Sequence, residues 1–181
     1  MKILILIQRL GLCMAALGAA LVWSGCKSCP TGVAGPVLTY NVQLNLDPGL
    51  ASDSVAVDVV GVTPGNLPRW QNYSMTKYWQ SGDEMRQDAS KITLFFGAGK
   101  EQNQTISATN AIWKDWISHG VNNIAVVADL PGIFEDKPEP QDARRQILNL
   151  CKCSWPDDTT NLVIDIKRSG VEVRTTPRPT K

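Results

Sequence analysis

The segment IAVVADL, residues 124–130, is the most apolar stretch of the chain after its first 25 residues. A short, continuous apolar run of this kind is typical of a strand that is covered on both faces. We therefore predict a central strand here, and a protein whose core is organised around a sheet.

Segments on both sides of this run predict further strands. Residues 38–46 (LTYNVQLNL) alternate between apolar and polar side chains, which is the period of a half-buried strand. Residues 55–62 (VAVDVVGV) are dominated by β-branched side chains, and residues 91–96 (KITLFF) resemble them. Near the C-terminus, residues 162–174 alternate on either side of an Arg-Ser-Gly turn and predict a terminal hairpin.

Helical spacing is confined to two regions. Between residues 67 and 89 the large side chains recur every three or four positions, and Ser81-Gly82-Asp83 interrupts them. We expect one short helix or irregular segment before this break and another after it, beginning near Asp83. Trp113, Trp116 and Ile117 share one face of a brief helix, and aromatic residues at such spacing usually pack on a sheet.

These elements predict one domain of mainly β structure. Residues 97–107 form a polar excursion, and residues 141–150 fit either a helix or a strand. Six or seven strands separated by turns, with one or two short helices, favour a β-sandwich. We assign residues 37–175 to this domain and residues 176–181, which contain two prolines, to a flexible tail.

The first 25 residues have the profile of a cleaved signal peptide. Lys2 and Arg9 are their only charges, and the apolar run of residues 10–22 is too short for a comfortable membrane span. The sequence that follows, Trp23-Ser24-Gly25-Cys26, resembles the lipobox of bacterial lipoproteins, although tryptophan replaces the usual aliphatic residue. We predict lipidation of Cys26 and a lipidated tether over residues 26–36. An ordinary secretory leader is the alternative, and Cys29 is a weaker candidate for the lipid.

The remaining cysteines suggest a disulfide. Cys13 leaves with the leader and Cys26 carries the lipid, so that Cys29, Cys151 and Cys153 remain. In an oxidising compartment, Cys29 could pair with either Cys151 or Cys153. A metal or redox site is the alternative, but a single C-x-C with no nearby histidine is a poor match to zinc motifs.

Charge and composition argue against nucleic-acid binding and catalysis. The chain has 18 basic and 17 acidic residues, interspersed along the sequence, and so lacks the clustered basic residues that phosphate groups attract. His119 is the single histidine, and its position before Gly120 indicates a helix cap more than a catalytic base. Most of the acidic residues in 83–88 and 135–142 are expected to form a solvated face. We predict no enzyme activity, no cofactor and no metal site.

The order of elements resembles a known family. The points of similarity are the lipoprotein leader, the second strand, a middle segment Tyr78-Trp79-Gln80-Ser81-Gly82-Asp83, the apolar strand ending in Ala128-Asp129, and the closing pair of strands. Together they are similar to the outer-membrane lipoprotein of the type VI secretion system, the TssJ family. This resemblance implies a transthyretin-like sandwich.

The same resemblance implies a structural anchor with no enzymatic activity. Such a protein is held by its lipid at the outer membrane, faces the periplasm and binds the periplasmic domain of an inner-membrane secretion protein. The loop between the first two strands would then bind the partner, through Asp47, Pro48, Gly49, Leu50, Ser52 and Asp53. The alternative is an envelope lipoprotein that binds glycan or another ligand through Trp113, Trp116 and the acidic loop.

Overall fold

The computed structural model describes residues 35–179. In this part of the chain there are eight strands: β1 (Asn41–Leu46), β2 (Val55–Val62), β3 (Lys91–Phe96), β4 (Asn103–Ile106), β5 (Asn123–Ala128), β6 (Arg145–Asn149), β7 (Asn161–Lys167) and β8 (Gly170–Val173). The α-helices described there are α1 (Leu67–Asn72), α2 (Met75–Tyr78), α3 (Glu84–Asp88) and α4 (Ile112–Ser118). Two single 3₁₀ turns, Pro48–Leu50 and Lys152–Ser154, complete the elements.

The strands form two four-stranded sheets. The first has the order β4-β1-β7-β8 and the second the order β3-β2-β5-β6. Strands β1 and β7 run parallel, whereas every other pair is antiparallel. The prediction of a mainly β sandwich is confirmed, and the structure adds helices beyond the one or two expected.

Burial explains why these residues form strands. Val42, Leu44 and Leu46 of β1 are buried while their polar neighbours are half-exposed, as the alternation predicted. Strands β2 and β3 begin and end where the sequence placed them. All six residues of β5 are buried, which confirms the central strand.

The apolar run of β5 is explained by two separate cores. Ile124, Val126 and Ala128 face the main core between the sheets. Ala125 and Val127 face a second cluster, in which α1, α2 and α3 cover the outer side of the second sheet. The molecule therefore has three layers, and β5 is buried on both faces because it lies in the middle one.

Two strands, β4 and β6, lie in segments that the sequence analysis did not assign to a strand. The polar excursion at residues 97–107 contains β4, which buries only Ile106 and was missed because its other side chains carry no apolar signal. The ambiguous residues 141–150 contain β6, which pairs with β5. Ladder hydrogen bonds to a neighbouring strand define both elements.

Both ends of the described chain are held to the domain. Val37 forms an isolated antiparallel bridge with Cys151, and the N–H of Leu38 donates to the carbonyl of Leu150 at 3.0 Å. The N–H of Arg178 donates to the carbonyl of Ser154 at 2.9 Å. The predicted signal peptide, Cys26 and Cys29 lie outside the described residues. No helix between residues 35 and 179 is long and apolar enough to cross a membrane.

Candidate partner-binding loop end

Three connections meet at one end of the sandwich. They are the β1–β2 loop (residues 47–54), the β3–β4 loop (residues 97–102) and the β7–β8 turn (residues 168–169), and we call them the loop end. The N–H of Leu46 donates to the carbonyl of Gln102 at 2.7 Å, and the N–H of Asp47 donates to that of Ile166 at 2.9 Å. These bonds bring loops from both sheets together.

The β1–β2 loop has a fixed shape. Its first residue, Asp47, accepts a hydrogen bond from the N–H of Gly49 at 2.8 Å and so caps the 3₁₀ turn. Leu50 is fully buried in the main core. Its inclusion among the predicted contact residues is therefore wrong as a direct contact, because an apolar side chain in this loop anchors it to the core. Pro48, Gly49 and Ser52 are exposed.

Neighbouring connections hold the end of this loop. Arg168 donates to the carboxylate of Asp53 at 2.7 Å and to the carbonyl of Gly49 at 3.1 Å. Gly97 has φ +139°, and a Cβ there would lie 2.6 Å from the carbonyl oxygen of Asp53. Glycine is required at this position for both reasons. The predicted contact residues are thus displayed on a preshaped loop.

A shallow cleft of about 170 Å³ adjoins the loop. It is lined by Asn45, Leu46, Asp47, Pro48, Asp165 and Lys167. Asp165 accepts hydrogen bonds from Asn45 at 3.2 Å and from Arg174 at 3.0 Å. The polar, mixed-charge lining suits hydrogen bonds to a protein partner.

A buried carboxylate lies between the second sheet and the helices that cover its outer side, and the sequence analysis did not predict it. Asp58 of β2 is fully buried and accepts from Tyr78 at 2.9 Å, from Arg86 at 2.9 Å and from Thr93 at 2.6 Å. Burial, together with the nearby carboxylate, raises the pKa of Tyr78 well above its usual value. The sequence feature that could have revealed this site is an aspartate within a β-branched run, which is itself expected to be buried. Aspartate is almost never fully buried unless it is paired.

Most of the acidic residues in 83–88 and 135–142 are exposed, as the sequence predicted, but Asp83 and Asp142 are buried. Asp142 is buried and binds Arg144, whose guanidinium also binds Asp136 at 2.6 Å. Burial acts to raise the pKa of Asp136, but hydrogen bonds from Ser74, Thr76 and Arg144 outweigh it and hold that pKa well below its usual range. The β5–β6 loop is thereby fastened to α2.

Arg145 fastens the same loop to α1. Its side chain is fully buried, and its guanidinium donates to the carbonyls of Gln71, Tyr73 and Lys137 at 2.8 to 2.9 Å. Burial lowers its pKa. Two of these carbonyls lie at the C-terminal end of α1, where helix carbonyls lack partners within the helix.

The aromatic ligand platform considered for the alternative function is ruled out by burial. Trp113 and Trp116 are 2% and 1% exposed and pack edge to face with centroids 5.1 Å apart. Their indole N–H groups donate to the carbonyl of Ser107 and the hydroxyl of Ser90. His119 is the C-cap of α4, with Nδ1 2.9 Å from the carbonyl of Asp115, as the sequence indicated.

Cys151 and Cys153 lie just after β6. Cys151 is buried, with Sγ 3.7 Å from the carbonyl oxygen of Gly35, and Cys153 is half-buried on the following 3₁₀ turn. Their pairing with Cys29 stays a prediction. Within residues 35–179, no group of three or more His, Cys, Asp or Glu side chains could hold a metal ion.

No protein-family profile matches the chain, and no curated protein sequence matches it. Several solved structures match the chain. The T6SS lipoprotein TssJ1 from Pseudomonas aeruginosa aligns with a TM-score of 0.45 and 14% identity, covering 80% of this chain and 100% of that one. Serratia marcescens Lip, a membrane-bound component of the type VI secretion system, aligns at 0.44 and 10%, covering 74% and 95%.

A third match carries the description of the T6SS protein TssM C-terminal domain from EAEC. It has a TM-score of 0.49 and 10% identity and covers 75% of this chain and 99% of that one. All three scores are below 0.5, so the fold assignment rests on the sheet topology itself. The chain is a β-sandwich that resembles the lipoproteins of type VI secretion systems.

Proposed function

We propose that this protein is a lipid-anchored periplasmic component of a type VI secretion membrane complex. It acts as a structural anchor without enzymatic activity. Its loop end binds the periplasmic domain of an inner-membrane secretion protein. The observation that carries this proposal is that the described chain enters the sandwich at the end opposite the loop end.

The path of β1 shows this separation. The described chain joins the domain beside Cys151, through the bridge to Val37, immediately before β1 begins at Asn41. Strand β1 has six residues and leads directly into the β1–β2 loop. At roughly 3.3 Å per residue, the strand carries the chain about 20 Å from the tether to the loop end. The loop end therefore lies at the far end of β1 from the point where the described chain joins the domain, which leaves it accessible to a partner when the domain is tethered by a lipid.

The proposed anchor is a lipid on Cys26. Three acyl chains exceed the roughly two signals that stable membrane attachment requires, so the domain needs no membrane-binding surface of its own. Gly35 lies nine positions after Cys26, which allows the domain to stand up to about 30 Å from the lipid. Lys27 in the next position is compatible with sorting to the outer membrane, because it is not the aspartate that retains lipoproteins in enteric bacteria.

A disulfide from Cys29 would fix the start of the tether. The N–H of Lys152 donates to the carbonyl of Pro36 at 3.0 Å. Because the bridge between Val37 and Cys151 is antiparallel, its direction leads the preceding residues toward Cys153. A disulfide between Cys29 and either Cys151 or Cys153 would hold the tether to the domain, and this pairing is part of the proposal.

Acyl labelling tests the anchor. Cys26→Ser should abolish incorporation of a fatty-acid label and release the protein from membranes, whereas the matched variant Cys29→Ser should keep both. Loss of labelling in Cys29→Ser alone would move the lipid to that residue, and unchanged labelling of both variants would refute the anchor.

Binding to the partner tests the loop end. The partner is the inner-membrane secretion protein encoded in the same gene neighbourhood, and its purified periplasmic domain is the ligand. Ser52→Arg places a bulky charge on the exposed loop and should weaken binding at least tenfold, a loss of about 1.4 kcal/mol. Asp158→Arg changes an exposed residue near the tether and should leave the affinity unchanged. Equal affinities for Ser52→Arg and the unmodified protein would refute the loop assignment.

A further inference from the structure

Strand β3 presents an open edge. It is the first strand of its sheet, and within residues 35–179 it pairs only with β2. The N–H of Gly61 donates to the carbonyl of Ser90, and the N–H of Asp129 donates to that of Ala56. In an antiparallel sheet the ladder bonds alternate, so the odd-numbered residues of β2 bond to β3 and its even-numbered residues bond to β5.

The same alternation identifies the groups that point outward from β3. Ile92, Leu94 and Phe96 face the odd-numbered residues of β2 and bond to them. The backbone groups of Lys91, Thr93 and Phe95 are therefore directed away from the sheet. Among the described residues, one group bonds to these outward backbone groups: the side-chain amide of Gln104 donates to the carbonyl of Phe95 at 2.9 Å.

This edge lacks the usual protection against strand pairing. Natural edge strands are kept short, charged, proline-containing or covered. Strands β4 and β8 have only four residues each, and the segment just before β6 is held to β8 by a 2.7 Å bond from the N–H of Val171 to the carbonyl of Ala143. Strand β3 has six residues, no proline and one charge, at Lys91. Its Phe95 is 59% exposed.

We propose that the β3 edge pairs antiparallel with the β3 edge of a second copy of this chain. The two second sheets would then form one continuous eight-stranded sheet across a twofold axis. The register is set by the outward row: centring the axis on Thr93 pairs all three outward residues with outward residues of the other copy. An axis at Lys91 would place two ammonium groups opposite each other, and an axis at Phe95 would pair fewer residues of the strand.

Side chains in this register are complementary on both faces. Lys91 of one copy lies opposite Phe95 of the other, twice, so that each aromatic ring packs on the aliphatic stem of a lysine and the two charges stay apart. Within its own chain, the ammonium of Lys91 donates to the carbonyl of Arg86. On the core side, Ile92 lies opposite Leu94. Both side chains are half-buried at the rim of the main core, and the pairing would cover them. The pairing of each exposed Phe95 with a lysine stem, and of Ile92 with Leu94, is what identifies a second copy as the occupant.

Gln104 competes with this pairing. Its amide occupies the carbonyl of Phe95, which the second copy needs as an acceptor. The same amide donates to the carbonyl of Glu101 at 3.2 Å. Six backbone hydrogen bonds over one short strand make a small interface, so we expect a weak dimer, with a Kd on the order of 10 to 100 μM. Gln104→Ala should strengthen it.

Zero-length crosslinking of the full-length protein in mild detergent tests the register. Phe95→Glu places a carboxylate opposite Lys91 of the second copy, and a carbodiimide should join them in a dimer. Within one chain these two positions are four residues apart along a strand, about 13 Å, which a zero-length link cannot span. Mass spectrometry of the dimer should therefore find a peptide pair joining position 95 to Lys91.

Matched variants distinguish a dimer in this register from non-specific association. Phe95→Lys sets two ammonium groups opposite each other and should reduce the dimer at least tenfold in sedimentation equilibrium, whereas Phe95→Glu should retain it. Ile117→Lys, at an apolar residue of α4 that is 45% exposed and off the edge, should change nothing. Equal loss in Phe95→Lys and Phe95→Glu, a monomer at all concentrations, or crosslinks to lysines other than Lys91 would overturn the proposal.

Discussion

Replacing Arg86 by methionine should destabilise the domain, because it removes the cationic partner of a buried carboxylate. The side chain of Asp58 is fully buried, and Arg86, 30% exposed, is its one cationic partner among the described residues. Arg86→Met keeps the aliphatic stem but leaves the carboxylate with only the hydroxyl groups of Tyr78 and Thr93. The guanidinium also lies 4.2 Å above the ring of Trp79, and this contact is lost as well.

The expected magnitude follows from the geometry. Breaking a buried ion pair by removing one partner costs about 3 to 5 kcal/mol. Since Arg86 is partly exposed, water can approach the carboxylate in the variant, and we expect the lower end, about 3 kcal/mol. For a protein of this size that corresponds to a fall in Tm of roughly 6 to 12 °C.

Urea unfolding followed by tryptophan fluorescence measures this loss. Arg69→Met is the matched control, because that arginine is exposed and should change stability by less than about 0.5 kcal/mol. The double variant Asp58→Asn/Arg86→Met should be more stable than the sum of its single losses predicts, by at least about 1 kcal/mol, because the stranded charge is gone. A loss below about 1 kcal/mol for Arg86→Met, or strict additivity in the double variant, would refute this account of Asp58.

Two further predictions concern packing and pH. At Gly61 an added Cβ would lie 2.6 Å from the ring of Trp116, so Gly61→Ala should cost about 1 to 3 kcal/mol, and an unchanged Tm would show that the indole can move aside. Asp136 has a lowered pKa in the folded protein, so its stabilising contribution is present above the unfolded pKa of about 3.9 and is lost as the pH falls toward the folded pKa. Asp136→Asn should therefore lower the free energy of unfolding at neutral pH, and the difference in unfolding free energy between this variant and the unmodified protein should become smaller below about pH 4. Denaturation at several pH values measures this difference. A difference that does not change with pH would contradict the prediction.

The strands were predictable because their signal is local. Alternation in β1 and the β-branched run of β2 record which face of each strand is buried, and a period of two survives any tertiary arrangement. The same is true of Asp83, predicted near a helix start, whose carboxylate accepts from the N–H of Arg86 and caps α3. Strand β4 carried no such signal, since its pairing with β1 is made by backbone groups that every residue possesses.

The polar network was beyond sequence reasoning for a different reason. Asp136 and Arg144 are eight positions apart, but the Ser74 and Thr76 groups that complete their site are 60 or more residues away. Whether a carboxylate is solvated or paired depends on which distant segment packs on it. The acidic residues were therefore predicted as a solvated face, although Asp142 is buried.

The sequence by itself determined the mainly β class, the central strand β5 and the absence of clustered basic residues, because each depends on residue type and spacing along one segment. The leader and the lipid on Cys26 stay predictions. Only the tertiary structure decided that Leu50 belongs to the core, that Trp113 and Trp116 are hidden from any ligand, and that β3 ends its sheet with an open edge. Those properties depend on which strands become neighbours, and strand order is set by long-range packing that no single segment encodes.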